Sequence, residues 1–357
     1  MRKKDTGEIF AMKVLRKAVV VRKRKGMEHT RNERNILEVM RHPFIVDLKY
    51  AFQTNGKLYL VMRYLSGGEL FFHLSKNHMF SEEIVRFYAV EILLALEFLH
   101  SEGVIYRDLK PENICLDSDG HVCLTDFGLA KEAVHSEHAG ASSFCGTPEY
   151  MAPEILMRCG HGKAVDWWSY GVLLYEMLTG TPPFVGANRT GTYSKILKDK
   201  LYLPAYLSQE AKSLLRRLLA RSPTKRLSLA EDVKRQAFFN NVNWEDALGK
   251  KLKPPFVPTV DDGQADYSNF DPKFTKQLPS DSPVSPCPNG IFEGFSYVAP
   301  SVIHDVMDNP QSRLRYMSID DTMTIGENGN QDGSAGPSHR GAGTPPQHPY
   351  LHPSAAC

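Results

Sequence analysis

The sequence has few of the features that mark secreted, membrane-spanning or polyanion-binding proteins. Its six cysteines are spaced irregularly and form no C-x-x-C pair, which favours free thiols in a reducing compartment. The most apolar stretch, residues 92–99, contains Glu97 and is far shorter than the roughly 20 residues that cross a bilayer, so we expect no membrane span. The 43 Lys and Arg residues nearly balance the 41 Asp and Glu residues, so we expect no direct nucleic-acid partner.

The residues that are present predict a soluble globular protein that begins with a strand and a helix. With 357 residues, 42% of them hydrophobic, the chain has enough apolar material for one large or two modest cores. Residues 8–15 form an apolar run that contains Lys13, which predicts a strand. Residues 28–40 carry apolar side chains at helical spacing, with Glu33 on or beside the buried stripe. A carboxylate in that position needs a partner.

Further along the chain the pattern changes from strands to helices. Asn55-Gly56 between two apolar runs predicts a β-hairpin. Ser81 precedes two glutamates and caps a predicted helix that is apolar almost all round and extends to His100. Beyond it we expect short strands at 113–116 and 121–125, and helices at about 165–179 and 208–220. A small β-rich lobe followed by a large helical lobe predicts a cleft between them, where ligands commonly bind.

Three motifs occur in a fixed order after the first long helix. They are Tyr106-Arg107-Asp108-Leu109-Lys110-Pro111-Glu112-Asn113, then Asp126-Phe127-Gly128 thirteen residues after Asn113, then Ala152-Pro153-Glu154. Asp-Phe-Gly alone would be an ordinary turn with a buried phenylalanine. Together the three resemble the catalytic loop, metal-binding turn and activation-segment end of protein kinases.

This resemblance implies an α+β fold, the bilobal protein-kinase fold. We expect a kinase domain over residues 1–239, with a small β-rich lobe over about 1–64 and a large α-helical lobe over about 65–239. Residues 240–305 would form the C-terminal extension of the AGC class of kinases, with a turn motif and a hydrophobic motif. Residues 306–357 are too poor in apolar side chains to fold, so we expect a disordered tail.

The resemblance also assigns the chemistry of phosphoryl transfer from ATP. Asn113 and Asp126 would hold Mg²⁺, a hard cation that prefers oxygen ligands. Asp108 would orient the substrate hydroxyl and accept its proton, and Lys110 would steady the transferred phosphate. Both are candidate catalytic residues.

The remaining nucleotide contacts are assigned by the same resemblance. Lys13 would contact the α- and β-phosphates, with Glu33 as its helix partner. Arg63 stands where an acidic residue is common in this class. The other candidate nucleotide-binding residues line the adenine pocket or its rim: Met62, Tyr64, Leu65, Glu69 and Phe270.

Three serines fall at positions that resemble the phosphorylation sites of AGC kinases. Ser143 lies in the activation segment, Ser282 precedes a proline, and Ser296 follows an aromatic pair. Phosphate on Ser143 would pair with Arg107 and Lys131 and order the loop beside the catalytic residues. The segments AFQTNGKLYL, YLSGGELF, GHGKAVDWWS and FSYVAPSV are similar to the ribosomal protein S6 kinases.

That family implies the substrates and partners. Glu69, Glu112 and Glu176 would pair with arginines upstream of the target in Arg-x-Arg-x-x-Ser/Thr. Thr147 together with the catalytic lysine points to serine or threonine rather than tyrosine. We expect a monomer that takes part in TOR-type growth and nutrient signalling to translation, acted on by an activation-loop kinase and a hydrophobic-motif kinase.

Two sequence features leave alternatives open. Residues 22–25 are a basic run, either a nuclear-import signal or a solvated face, so we expect a cytoplasmic protein with a possible nuclear fraction. Residues 313–318 fit the substrate pattern at Ser318, either as a self-phosphorylation or pseudosubstrate site or by chance.

The glycine-rich loop that covers ATP phosphates in such kinases has no counterpart here, and Lys13 follows Met1 by only twelve residues. We therefore expect an N-terminally truncated chain, with three interpretations. The chain transfers phosphate as it stands, or it is a catalytically impaired regulatory or binding module, or it is an incomplete translation of a longer kinase.

Overall fold

A computed structural model of the chain describes residues 1–23, 25–132, 136, 141, 144–259, 267–278 and 290–303. The small lobe is built on an antiparallel sheet against which one long helix packs. Its elements are β1 (Phe10–Arg16), α1 (Lys17–Arg22), α2 (Gly26–Val39), β2 (Leu48–Gln53) and β3 (Lys57–Arg63). The strand β3 lies between β1 and β2, with Lys13 opposite Leu60 and Phe52 opposite Tyr59.

The predicted hairpin and first helix form for the expected reasons. Thr54 N donates to Lys57 O at 2.9 Å and closes the turn at Asn55-Gly56. The apolar stripe of α2 buries Ile36 and Leu37 completely, and Glu33 on the same helix is 3% exposed. The prediction of a helix with a buried carboxylate is therefore confirmed.

The large lobe is mainly helical, with one small sheet beneath the cleft. Its elements are β4 (Gly68–Glu69), α3 (Leu70–Asn77), α4 (Glu82–Ser101), β5 (Ile114–Leu116), β6 (Val122–Leu124), α5 (Pro153–Met157), α6 (Ala164–Thr179), α7 (Arg189–Lys198), α8 (Gln209–Leu218), α9 (Ala230–Lys234) and α10 (Trp244–Leu248). Ser81 caps α4 by accepting from Ile84 N, as predicted. Both α4 and α6 are buried along most of their length, which explains their nearly all-apolar sequences.

A bidentate ion pair braces the large lobe. Arg226 donates from both terminal nitrogens to Glu154, at 2.7 and 2.9 Å, and its guanidinium lies over the ring of Trp168. Both residues of the pair are buried. They therefore hold the end of the activation segment against the body of the lobe.

The C-terminal extension packs on both lobes and adds the elements α11 (Pro272–Thr275) and β7 (Tyr297–Val298). The strand β7 pairs antiparallel with β2, so the small-lobe sheet has the order β1-β3-β2-β7. Phe292 and Phe295 are 2% and 3% exposed and belong to the same core cluster as the two lobes. Residues 1–303 form one unit.

Several elements were not predicted from the sequence. The segment between β1 and the basic run folds as the short helix α1, and α3, α7 and β7 carry no strong signal of their own. Within the described residues, no helix is long and apolar enough to cross a membrane. Ser143, Ser282, Ser318 and the tail beyond residue 303 lie outside the described residues.

Candidate active site

A chain of charges crosses the cleft between the lobes. Lys13 Nζ on β1 lies 2.6 Å from Glu33 Oε1 on α2 and 3.0 Å from Asp126 Oδ1 in the large lobe. Burial opposes the charge of Lys13, but the two carboxylates outweigh it and raise the pKa of the ammonium. Burial also opposes ionisation of Asp126, yet the charge and hydrogen bond of Lys13 lower the pKa of that carboxyl. Burial raises the pKa of Glu33, while the charge of Lys13 opposes that rise. The pairing thus favours the charged forms of Lys13 and Asp126.

The predicted catalytic side chains meet around Asp108. Asn113 Nδ2 donates to Asp108 Oδ2 at 2.8 Å, and Lys110 Nζ lies 3.2 Å from the same oxygen. Thr147 Oγ1 donates to Asp108 Oδ1 at 3.3 Å and accepts from Lys110 Nζ at 3.1 Å. The carboxylate is thus fixed from two sides, while a short 3-10 helix, Pro111–Asn113, brings the asparagine back toward it.

The sequence reasoning missed the residue that shapes this loop. Asp166, fully buried on α6, accepts from Tyr106 N at 2.8 Å, from Arg107 N at 2.7 Å and from His100 Nε2 at 2.8 Å. These bonds hold Arg107 at a φ of 65°, in the left-handed region that a non-glycine residue rarely adopts. An aspartate near the start of an apolar helix was the available signal.

A second left-handed residue is Asp126 itself, with a φ of 51°. Its Oδ1 accepts from Gly128 N at 3.1 Å, which fixes the turn, and its side chain is 49% exposed. Strained backbone of this kind is characteristic of functional sites. The conformation presents the carboxylate to the cleft rather than to the core.

The oxygen atoms available at this site fit a divalent cation held together with phosphates. Among the described residues there is no cluster of three or more His, Cys, Asp and Glu side chains that would hold a metal alone. Mg²⁺ usually takes only one or two carboxylates and completes its shell with water and phosphate oxygens. Because the amide nitrogen of Asn113 is bonded to Asp108, its amide oxygen is the atom left for a cation, beside Asp126.

The predicted adenine-pocket residues lie at the join between the lobes. Met62 and Tyr64 are half-buried at the end of β3 and just after it, and Leu65 is 5% exposed. Phe270 of the extension stacks on Tyr64 with ring centroids 6.1 Å apart. Met62, Tyr64 and Leu65 are close in the chain, and the ring contact with Tyr64 brings Phe270 to them from the extension.

The predicted substrate acids form one acidic surface. Burial and the nearby Glu112 raise the pKa of Glu69, and burial with Glu112 and Glu149 raises the pKa of Glu176 to about 7. Tyr150 donates its hydroxyl to Glu176, which favours the ionised form. Glu149 and Tyr150 were missed from the sequence, although they lie in the Gly-Thr-Pro-Glu-Tyr segment that contains Thr147.

The expected phosphate contacts of the activation segment also lie near one another. Arg107 Nε donates to Leu129 O at 2.7 Å, and Lys131 pairs with Ile105 through two backbone hydrogen bonds. Arg107 Nη1 is buried without a hydrogen-bond partner among the described residues. A buried guanidinium donor without a partner is costly, so it suits an anion that is supplied by another group.

The hydrophobic motif is docked beside α2. Arg34 Nε donates to Phe295 O at 3.2 Å, and Gln53 Nε2 donates to Phe292 O at 2.9 Å. Ser296 is exposed and its carbonyl accepts from Arg34 Nη2 at 3.3 Å. The predicted regulatory serine therefore lies at the surface, beside a cation.

Comparison with known proteins is consistent with this geometry. The protein kinase domain matches residues 1–239, and the protein kinase C terminal domain matches residues 262–297. Ribosomal protein S6 kinase beta of Caenorhabditis elegans is 56% identical over 307 residues, which cover 84% of this chain and 56% of that protein.

Two further relatives have a comparable percentage of residues identical to this chain. A RAC family serine/threonine-protein kinase homolog of Dictyostelium discoideum is 52% identical over 306 residues, covering 84% of this chain and 68% of that protein. Ribosomal protein S6 kinase alpha-2 of Homo sapiens is 52% identical over 308 residues, covering 84% and 42%. The chain thus spans between about two fifths and two thirds of the length of these relatives.

Proposed function

Because the chain belongs to the protein kinase family, we propose that it transfers the γ-phosphoryl group of ATP to serine and threonine hydroxyls in proteins. The observation that carries this proposal is the convergence of Lys110, Asn113 and Thr147 on the carboxylate of Asp108. The Dictyostelium discoideum relative, which is named as a serine/threonine-protein kinase homolog, supports the same reaction. ATP and a divalent metal follow from the family, and we propose Mg²⁺ as the metal.

Each residue of the site has a role that its contacts support. When bound, Mg²⁺ would neutralise phosphate charge, and Asp126 and the amide oxygen of Asn113 are the groups that would hold it. Lys13, fixed between Glu33 and Asp126, would bind nucleotide phosphate oxygens. Asp108 would accept a hydrogen bond from the substrate hydroxyl and take its proton as the oxygen attacks. Lys110 would place positive charge beside the developing phosphate charge.

The acidic surface supports a preference for basic substrates. Glu69, Glu112 and Glu176 would pair with guanidinium groups upstream of the target hydroxyl, as in Arg-x-Arg-x-x-Ser/Thr, because charge-assisted bonds to carboxylates are strong and directional. The relatives' names refer to ribosomal protein S6. We extend that substrate class, and a place in TOR-type growth signalling to translation, to this chain.

We further propose that phosphate on the activation segment and on Ser296 regulates the enzyme. The unpartnered Nη1 of Arg107 supports an anion at the activation segment. The Arg34 side chain beside Ser296 supports a phosphate there. We propose that an activation-loop kinase and a hydrophobic-motif kinase add these two phosphates.

The test measures phosphate transfer from ATP and Mg²⁺ to an Arg-x-Arg-x-x-Ser peptide by the purified chain. Asp108→Asn removes the proton acceptor and should lower kcat by about 10²–10⁴-fold, while peptide binding persists. Arg216→Gln, an exposed change on α8, is the control and should keep full activity. If the chain binds peptide and nucleotide but transfers no phosphate, it is a binding module and the proposal fails. Equal transfer by wild type and Asp108→Asn would point to a contaminating kinase.

A further inference from the structure

An open cavity of about 410 Å³ lies between the small lobe and the extension, and its lining includes none of the catalytic residues. We call it the rear basic cavity. Its lining residues come from the segment after α2, the end of β3 and the extension: Arg41, His42, Pro43, Asp47, Arg63 and Lys250. None of them belongs to the proposed transfer site. The cavity brings together the small lobe and the extension at the end of β3.

The lining is cationic at neutral pH. Three of the six side chains are arginine or lysine, and Asp47 is the single acid. Burial and the nearby Lys250 lower the pKa of His42 to about 4, so the imidazole adds no charge. Lys49 pairs with Asp47, and Asp117 pairs with Lys250. Because Lys49 and Asp117 have opposite charges, including them leaves the net charge of the cavity unchanged. The cavity therefore carries a formal charge of about two positive units.

Of these three bases, Arg63 makes the weakest hydrogen bonds. Among the described residues its Nε is buried without a hydrogen-bond partner, and Asp47 Oδ2 lies 3.9 Å from it. Its Nη2 donates to the sulfur of Cys123 at 3.5 Å, and sulfur is a weak acceptor. A buried guanidinium donor left without an acceptor costs free energy that an oxyanion in the cavity would recover.

The other two bases are held in place by contacts that leave donors available. Arg41 uses Nη1 for the carbonyls of Leu37 and Met40 and one Nη2 proton for Tyr297 Oη, at 2.7 Å. Lys250 is fixed by Asp117 Oδ2, also at 2.7 Å, on the β5–β6 turn of the large lobe. Positioned cations with spare donors bind anions with little loss of side-chain freedom.

From these contacts we propose that the rear basic cavity binds a phosphate group, as free inorganic phosphate or as a phosphomonoester on a peptide. The charge of the lining matches a dianion, and the planar fork of a guanidinium matches two phosphate oxygens. The volume accommodates a phosphorylated side chain with its neighbours. A bound phosphate would join Arg41 and Arg63 of the small lobe to Lys250, which is anchored on the large lobe.

The test follows the Nε–H resonance of Arg63 by NMR in the full chain labelled with ¹⁵N-arginine. The resonance is assigned by its loss in Arg63→Lys. Inorganic phosphate should shift it in a saturable manner, while sodium chloride of equal ionic strength should not. Because the readout is local, phosphate bound beside Arg107 does not contribute. A second titration with a phosphoserine peptide separates the sources: tighter binding than free phosphate identifies a peptide ligand, and equal or weaker binding identifies the free ion.

Three variants make the result decisive. Asp47→Asn removes the acid of the lining and should tighten binding, whereas Arg41→Gln should weaken it by about tenfold, the usual scale for a charged hydrogen bond. Arg216→Gln removes a charge from the distant helix α8 and should have no effect. A shift no larger with phosphate than with chloride overturns the proposal. So does unchanged affinity in Asp47→Asn, a variant that leaves the contacts of the C-terminal end of α2 intact.

Discussion

Glu176 is the residue whose ionisation makes substrate choice sensitive to pH. Burial and two neighbouring glutamates raise its pKa to about 7, so the carboxyl is mostly neutral at pH 6 and mostly ionised at pH 8. An arginine of the substrate would pair only with the ionised form. Selectivity for basic peptides should therefore fall as the pH falls through 7.

The measurement is the ratio of kcat/KM for a peptide with upstream arginines to that for its alanine analogue. The ratio cancels the titration of groups that act on both peptides. We expect it to rise by up to about tenfold between pH 6 and pH 8, which corresponds to about 1.4 kcal/mol. Glu176→Gln cannot ionise and should give a low ratio that does not change with pH. A ratio that is flat in the wild type would contradict the assignment.

At the scale of single residues, the sequence predicted the side chains that carry the chemistry. It missed the side chains that hold them in position. Lys13, Asp108, Asn113 and Asp126 stand at fixed spacing because the reaction requires their chemistry. Asp166 acts through backbone hydrogen bonds, and many positions in a buried helix look similar until the loop beside it is seen. Glu149 joins the acidic surface only through folding, so spacing alone gave no reason to select it.

At the scale of secondary-structure elements, the position of the extension depends on Gly68, where the extension crosses the large lobe. A Cβ atom at Gly68 would lie 2.0 Å from Asn269 O, and Gly68 has a φ of +75°. The adjoining Phe270 stacks on Tyr64, so the seating of the extension at Gly68 also fixes the rim of the nucleotide site.

We predict that Gly68→Ala displaces the extension and weakens ATP binding, measured by titration calorimetry. Hydrogen exchange should increase over residues 267–278. Gly290→Ala is a matched control, because its φ is +86° but a Cβ there would meet nothing within 4 Å. The control should lose a similar amount of stability through backbone strain while keeping its ATP affinity. Equal effects of the two substitutions would remove the contact with Asn269 as the cause.

The hydrophobic motif should stabilise the helix that carries Glu33. Phe295 is 3% exposed against the small lobe, so Phe295→Ala should cost about 3–5 kcal/mol of local stability. We expect faster hydrogen exchange in α2 and a higher KM for ATP. Phe274→Ala, at a ring that is 60% exposed in the same extension, should change neither. Unchanged exchange in α2 after removal of the Phe295 ring would show that the motif does not support this helix.

At the level of elements, prediction succeeded where an apolar pattern coincided with a local signal, either a helix cap or a turn dipeptide. The helix after Ser81 and the hairpin at Asn55-Gly56 carry such signals. The strand β7 has only two residues and forms because β2 offers an unpaired edge, so its pairing is a tertiary event. The helix α1 has basic residues at its ends and only six residues, and no element was predicted there.

For the whole molecule, the ion pair of Glu154 and Arg226 should decide the stability of the large lobe. Arg226→Met leaves a buried carboxylate without its cation, which typically costs about 3–5 kcal/mol. Urea denaturation should show a lower free energy of unfolding by that amount. The double variant Glu154→Met/Arg226→Met removes both charges and should recover much of the loss. A double variant less stable than Arg226→Met would mean that packing, rather than the unpaired charge, is responsible.

The pairing of β7 with β2 sets an order of events during synthesis. Tyr50 and Val298 are partners in the sheet but are separated by 248 positions in the chain. At about 5–20 residues per second, the edge of the small-lobe sheet would wait roughly 12–50 seconds for its last strand. Open edges attract other strands in that interval. The nascent small lobe is therefore a natural substrate for chaperones until the extension leaves the ribosome.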